Sequence, residues 1–224
     1  MLYIVCTPIG NLGDITLRAI ETLKKVDLIA AEDTRHSKIL LRHYQIATPL
    51  TSYHAYNKIK KAAELINFLK QGRSLALISD SGTPGISDPG GHLIRLAIEE
   101  DIPLTFIPGP TAFIAALVLS GLPTQRFCFE GFLPVKPGRR IARLKELAKE
   151  ERTIVLYESC HRIFRLLEQM LAVMGNIEMV CARELTKHFE EIKRGRVAEI
   201  WEYFKKHKPR GEFVIVFSKN KITT

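Results

Sequence analysis

Several signatures that identify a function at a glance are missing from these 224 residues. No apolar run reaches the roughly 18 residues a membrane span needs, and the longest candidate is only Phe113 to Leu119. The opening LYIV is strand-like, without the basic start and small-residue cleavage site of a signal peptide. Cysteine is scarce: Cys6, Cys128, Cys160 and Cys181 are scattered and form no CxxC pair. Three of them fall in β-like apolar runs, where a buried free thiol is the expected state and the reducing cytoplasm the expected compartment. There is no HExxH and no clustered His/Cys spacing; His36, His43 and His54 are dispersed. Metal catalysis therefore has no support in the pattern. Neither GxGxxG nor a Walker-type GxxxxGKS/T occurs, which argues against a nicotinamide oxidoreductase or a P-loop enzyme. No GxSxG elbow points to a hydrolase.

Acidic residues are the minority charge. Asp and Glu number 24 against 33 Lys and Arg, a formal charge of +9. Such an excess draws polyanions, but a solvated lysine-rich surface of the kind common in proteins from hot environments explains it equally well.

What is present reads as a soluble α/β protein of two lobes. Strand-like runs occur at Leu2–Val5, Asp27–Ala31, Pro49–Tyr53, Leu75–Ile78 and Leu104–Ile107, with helical apolar spacing between them, as in Ile15–Leu23 and Ala62–Leu69. This βαβα order predicts a mostly parallel sheet covered on both faces. After a helix at Pro110–Ser120 the texture changes. Strands are expected at Arg126–Phe132, Thr153–Tyr157, Glu178–Ala182 and Glu212–Ser218, with a hairpin arm around Phe189–Arg196 and helices near His161–Met174 and Val197–Lys206. Fewer crossover helices there imply a mixed sheet. The expectation is an N-terminal domain over residues 1–115 and a C-terminal domain over 116–224, with a ligand cleft between them.

Three loops hold seven of the 14 glycines in about a ninth of the chain: TPIGNLGD at Thr7–Asp14, SDSGTPGISDPGG at Ser79–Gly91 and IPGPT at Ile107–Thr111. Each follows a strand and precedes a helix, at the sheet edge where open α/β folds bind ligands. Glycine admits close backbone approach and proline fixes a loop before binding. Tight βα turns explain part of this, since Asp88-Pro89 is a good N-cap and first-turn proline. A thirteen-residue loop is longer than such a turn needs.

Read in order, TPIGNLGDITLRA, AAEDTRHS, SYH, ISDSGTPGISDPG, PGPTA, FEGFLP, YES, ARELTK and GEFVIV resemble the ribosomal RNA small subunit methyltransferase I family, a branch of the tetrapyrrole methylase superfamily. The likeness runs from Leu2 to about Phe217. It implies S-adenosylmethionine as methyl donor, bound between two α/β lobes, and 2′-O-methylation of a cytidine ribose in the decoding region of 16S ribosomal RNA. It further implies 16S RNA or the small ribosomal subunit as partner, and a homodimer. On matching positions, the donor contacts implied are Pro8, Asp80, Thr83, Pro84, Ile86, Thr111 and Ala112, with Tyr157, Ala182, Glu212 and Phe213 from the second lobe. Departures from the family pattern are Ser81 for alanine, Gly85 for a larger apolar residue and Cys160 for the proline of YESP. The sequence also stops just after GEFVIV, a difference that bears on RNA engagement and not on methyl transfer.

Methyl transfer from a sulfonium is an in-line displacement that rests on positioning and a dry site. Loops without lysine suit a cationic donor; Asp80 is either its acidic partner or a cap within the loop. A ribose hydroxyl is a weak nucleophile that benefits from a base or a stabilising charge. Glu32, Asp33 and Arg35 in AEDTRHS, and Glu184 and Lys187 in ARELTK, supply such groups, although structural salt bridges explain AEDxR as well. The expectation singles out Asp33 and Arg35, set to orient the ribose or its phosphate, and Glu184 as third candidate. RNA contacts are expected from Lys136, Arg139, Arg140 and Arg143 on one helical face, from Lys193, Arg194 and Arg196, and from Lys205, Lys206, Lys208 and Arg210. Competing readings are a tetrapyrrole-type or protein-modifying relative, and a non-catalytic RNA-binding protein on the same fold.

Overall fold

The computed structural model describes residues 1–219 and divides into two compact units, Met1–Thr111 and Ala112 onward. Unit 1 runs β1 (Leu2–Val5), α1 (Leu17–Lys25), β2 (Leu28–Ala31), α2 (Thr34–His43), β3 (Leu50–Ser52), α3 (Lys58–Lys70), β4 (Leu75–Ile78), α4 (Gly90–Glu99) and β5 (Leu104–Ile107). Its sheet has the order β3-β2-β4-β1-β5, and every pairing is parallel. β4 shows why the sequence pattern was clear. All four of its residues are buried, because a central parallel strand is covered on both faces. Leu75 and Leu77 join Leu65, Leu69, Leu93 and Ala97 on the α3–α4 side, while Ala76 and Ile78 join Ala19, Leu23, Leu40 and Leu41 on the α1–α2 side. α1 starts where the Thr16 hydroxyl accepts the Ala19 N–H, and buries Ala19 and Leu23.

Unit 2 comprises α5 (Ala112–Ser120), β6 (Phe127–Phe132), α6 (Pro137–Leu147), β7 (Thr153–Ser159), α7 (Ile163–Met174), β8 (Glu178–Arg183), β9 (Glu191–Arg196), α8 (Val197–Lys206) and β10 (Glu212–Phe217). Its sheet order is β6-β7-β10-β8-β9. Only β6–β7 is parallel, so the sheet is mixed. Leu144 and Leu147 of α6, Leu166, Leu167 and Met170 of α7, and Ile200 and Phe204 of α8 pack with Ile154, Leu156, Phe213 and Ile215 into one core. Among the described residues, no helix is long and apolar enough to cross a membrane.

Candidate functional site

β4, β1 and β5 are neighbours in the unit 1 sheet, so the three Gly/Pro-rich loops leave its carboxyl edge side by side. Chain order hides this adjacency, because β4 enters between β2 and β1 only after β3 has been laid down outside β2. The loops are also bonded to one another. Thr7 N–H donates to Gly82 O (2.9 Å) and Gly82 N–H to Thr7 O (3.1 Å). The buried Thr7 hydroxyl adds a bond to Ser79 O at 3.1 Å. Cys6 N–H reaches Ile107 O at 3.2 Å. The Cys6 thiol donates to Thr83 Oγ1 (3.4 Å), which lies 2.7 Å from Thr111 Oγ1. Burial pushes that thiol above its ordinary range, so it stays protonated. At Gly109 an added Cβ would stand 2.7 Å from the Cys6 Cβ, so the third loop rests directly on the end of β1. Pro8 and Pro84 are buried in this assembly, Asp80, Thr83 and Thr111 are half-buried, and Ile86 is exposed. The sequence singled out neither Cys6 nor Thr7, whose partners lie some 70 or more positions away.

Asp88 folds the long loop on itself. Its Oδ1 accepts from the N–H groups of Gly85 and Gly90, each at 2.7 Å. It therefore caps the start of α4 as expected from Asp-Pro, and ties down Gly85, whose φ is +90°, as well. Asp80 performs a similar service across elements: its Oδ1 accepts the Asp33 N–H at 2.9 Å, joining the loop after β4 to the end of β2.

The neighbouring acids Glu32 and Asp33 have opposite environments. Asp33 is the N-cap of α2, accepting the Arg35 N–H at 2.8 Å, and it also pairs with the Arg35 guanidinium at 2.9 Å. These Arg35 bonds hold its carboxyl down at about 2. Arg35 itself is largely exposed. Of the two roles the sequence leaves open for this pair, the intramolecular salt bridge is the one the structure contains. A carboxylate so acidic, held by two donors, is a poor proton acceptor. Glu32 is the reverse case. Burial raises its pKa, and the charges of Asp80 and Asp88 raise it further.

The model of the family described as Tetrapyrrole (Corrin/Porphyrin) Methylases matches residues 1–200. The chain belongs to this family. Its methyl donor is S-adenosylmethionine. Over 219 residues it is 51% identical to a Synechocystis protein named ribosomal RNA small subunit methyltransferase I, covering 97% of this chain and 78% of that one. A Thermotoga maritima protein of the same name is 46% identical, with 97% of each chain covered. Among solved structures, a diphthine synthase superimposes with a TM-score of 0.74 at 15% identity, covering 98% of this chain and 90% of that one. Uroporphyrin-III-C-methyltransferase from Thermus thermophilus gives 0.69 at 20%, covering 96% and 93%. At such identities the solved structures speak for the fold alone.

In unit 2, three strands bring the remaining expected donor contacts to one end of the sheet. Tyr157 on β7 and Ala182 on β8 are both in register with Val214 of β10, flanked by Phe213 and Glu212. Ala112 opens α5, and the backbone N–H of the next residue, Phe113, bonds the Tyr157 hydroxyl, whose pKa burial nevertheless lifts to about 12. Tyr157 meets the ring of Phe129 edge-on at 5.1 Å, and Phe113 stacks on Phe129 at 4.2 Å. Glu184 follows β8 in a left-handed conformation (φ +50°) and pairs with Lys187 at 3.0 Å. Its carboxylate fills the space a side chain at Gly211 would need, with Oε1 2.0 Å from an added Cβ, so Glu184 has a structural task.

The basic clusters split. Lys136 and Arg139 are exposed. Arg140 is not: it is 1% exposed, and its Nε–H donates to Gln169 Oε1. This corrects the expected four-residue basic face, since a phosphate has no path to a guanidinium under α6. Arg143 is held by Glu130 at 2.6 Å and Glu146 at 2.5 Å. On β9, Lys193 lies over the Tyr203 ring, Arg194 donates to Leu119 O, and Arg196 is exposed at the start of α8.

Proposed function

We propose that this chain transfers the methyl of S-adenosylmethionine to the ribose 2′-oxygen of a cytidine in the decoding region of 16S ribosomal RNA, acting on that RNA or on the small subunit, as a homodimer. The observation that carries the reading is the convergence of three Gly/Pro-rich loops on adjacent strand ends, in a chain about half identical to proteins named for small-subunit ribosomal RNA methylation.

The residues present fit such a donor. None of the three loops has a basic residue. The backbone approaches closely at Gly109, and Glu32, Asp80 and Asp88 make the sheet edge electronegative, which favours a cation. Pro8, Asp80, Thr83, Pro84, Ile86 and Thr111 are the unit 1 groups we assign to hold it. Bound there, S-adenosylmethionine supplies a methyl on a sulfonium. The residues of the chain do the rest by orientation and proton handling. We assign Glu32, whose carboxylate is made more basic by burial and by Asp80 and Asp88, to accept the proton of the ribose hydroxyl as the oxygen–carbon bond forms and the sulfonium's carbon–sulfur bond breaks. Asp33 and Arg35 keep the segment in place.

The test uses small ribosomal subunits purified from cells lacking this protein, incubated with the enzyme and labelled donor, followed by mapping of the modified nucleotide. Label on a decoding-region cytidine ribose is expected. Label on a base, or in a tetrapyrrole or a protein with none in RNA, refutes the proposal and favours the small-molecule or protein-modifying reading.

A further inference from the structure

α2 packs five basic or histidine side chains, Arg35, His36, Lys38, Arg42 and His43, into ten residues without one aspartate or glutamate. Ser37, Leu40 and Leu41 form its buried face, and the two leucines enter the core. Arg35, Lys38 and Arg42 recur at three- and four-residue steps on the opposite, exposed face. Each of the other helices of unit 1 carries at least one acid and one ion pair of its own: Lys25 with Glu21 on α1, Lys61 with Glu64 on α3, Arg95 with Glu99 on α4. In α2 only Arg35 has a carboxylate partner, the capping Asp33, and among the described residues Lys38 and Arg42 enter no ion pair. Arg42 and His43 suit the negative end of the helix dipole, but Arg35 and Lys38 sit toward the positive end, where the dipole opposes them.

A second feature lies beside this helix. β3 is the neighbour of β2, and the segment that follows it exposes Tyr56 almost completely, at 99%. The His54 ring stands next to it, with centroids 6.1 Å apart, and the exposed Lys60 comes four residues later. Unpaired RNA bases stack on exposed aromatic rings of this kind.

We infer that this edge of unit 1 binds a single-stranded stretch of RNA, with Lys38 and Arg42 neutralising phosphates along about 6 Å of helix and Tyr56 stacking an unpaired base. The inference rests on the ribosomal RNA reading and locates where that substrate is held. The track starts at the Asp33–Asp80 hydrogen bond, next to Glu32 and the donor loops. It also supplies cations that unit 2 lacks where Arg140 is buried and Arg143 is paired.

The experiment measures binding of small ribosomal subunits, from cells lacking this protein, across a potassium chloride series. Lys38→Gln/Arg42→Gln, Tyr56→Ala and Tyr56→Phe are compared with the wild type, and donor binding by equilibrium dialysis checks that each variant keeps its site. The double variant is expected to reduce the slope of log affinity against log salt by about 1.4, two contacts at about 0.7 each. Tyr56→Ala is expected to weaken binding about fivefold or more at unchanged slope, and Tyr56→Phe to restore it. Equal affinity and slope in all variants, with methylation by the wild type intact, overturns this surface and leaves the proposed function standing. A wild type that neither binds nor methylates the subunit overturns both.

Discussion

Gly109→Ala isolates the contact on which the donor-site geometry depends. Gly109 does not occupy the left-handed region, so alanine meets no torsional penalty there, and only the close approach to Cys6 demands glycine. An alanine Cβ would lie 2.7 Å from the Cys6 Cβ. Carbon atoms settle at about 3.5–4.0 Å, so the overlap is roughly 1 Å. The Cys6 Cβ cannot swing away, because it is fixed by the backbone continuing β1, which is paired on both sides by β4 and β5. The loop Ile107–Thr111 has to move instead, by about 1 Å, stretching the Thr83–Thr111 contact. Overpacking of this kind costs about 1–3 kcal/mol, and a displacement near 1 Å in a positioning element costs on the order of a hundredfold in turnover. Denaturant unfolding and single-turnover methylation measure the two effects, and equilibrium dialysis with labelled donor reports the accompanying change in affinity. Cys6→Gly in the same background removes the opposing carbon. The double variant should therefore be less destabilised than the sum of the singles, by about 1–2 kcal/mol of coupling. Wild-type stability and donor affinity in Gly109→Ala, or additive losses in the double variant, would refute the packing argument.

Glu32→Gln should abolish most turnover while donor binding persists, and Asp33→Asn should lose far less; the reverse order in single-turnover assays excludes Glu32 as proton acceptor. Because burial, Asp80 and Asp88 raise the Glu32 pKa, activity should rise with pH through a midpoint above the ordinary value of 4.5. Asp88→Asn removes one repelling charge and keeps an acceptor for Gly85 and Gly90, so the midpoint should move to lower pH, and an unmoved rate profile contradicts the assignment. In unit 2, Glu158 is fully buried and pairs with Arg162 at 3.1 Å, with Arg140 close by. Glu158→Ala leaves two guanidiniums uncompensated and should cost about 3–5 kcal/mol in denaturant unfolding; a loss below about 1 kcal/mol shows that Arg140 and Arg162 are satisfied in another way.

The sequence by itself determined the elements. β1, β4, β5 and α8 lie where periodicity sets them, since doubly covered strands are uniformly apolar and an amphipathic helix repeats at 3.6 residues, both local properties. The loops were legible for the same reason, because glycine and proline are placed by local backbone demands. Two signals were present and outweighed. Asp33 before Thr34 is an N-cap pattern, and Arg140 shares a helical face with Leu144 and Leu147, four and seven positions on. Only the tertiary structure decided which loops meet, that Cys6 underlies Gly109, that Asp80 holds Asp33, and that Glu32 rather than Asp33 resists ionisation. Those facts depend on strand order and on burial by residues tens of positions away, and neither is encoded within the span of a turn or a helix.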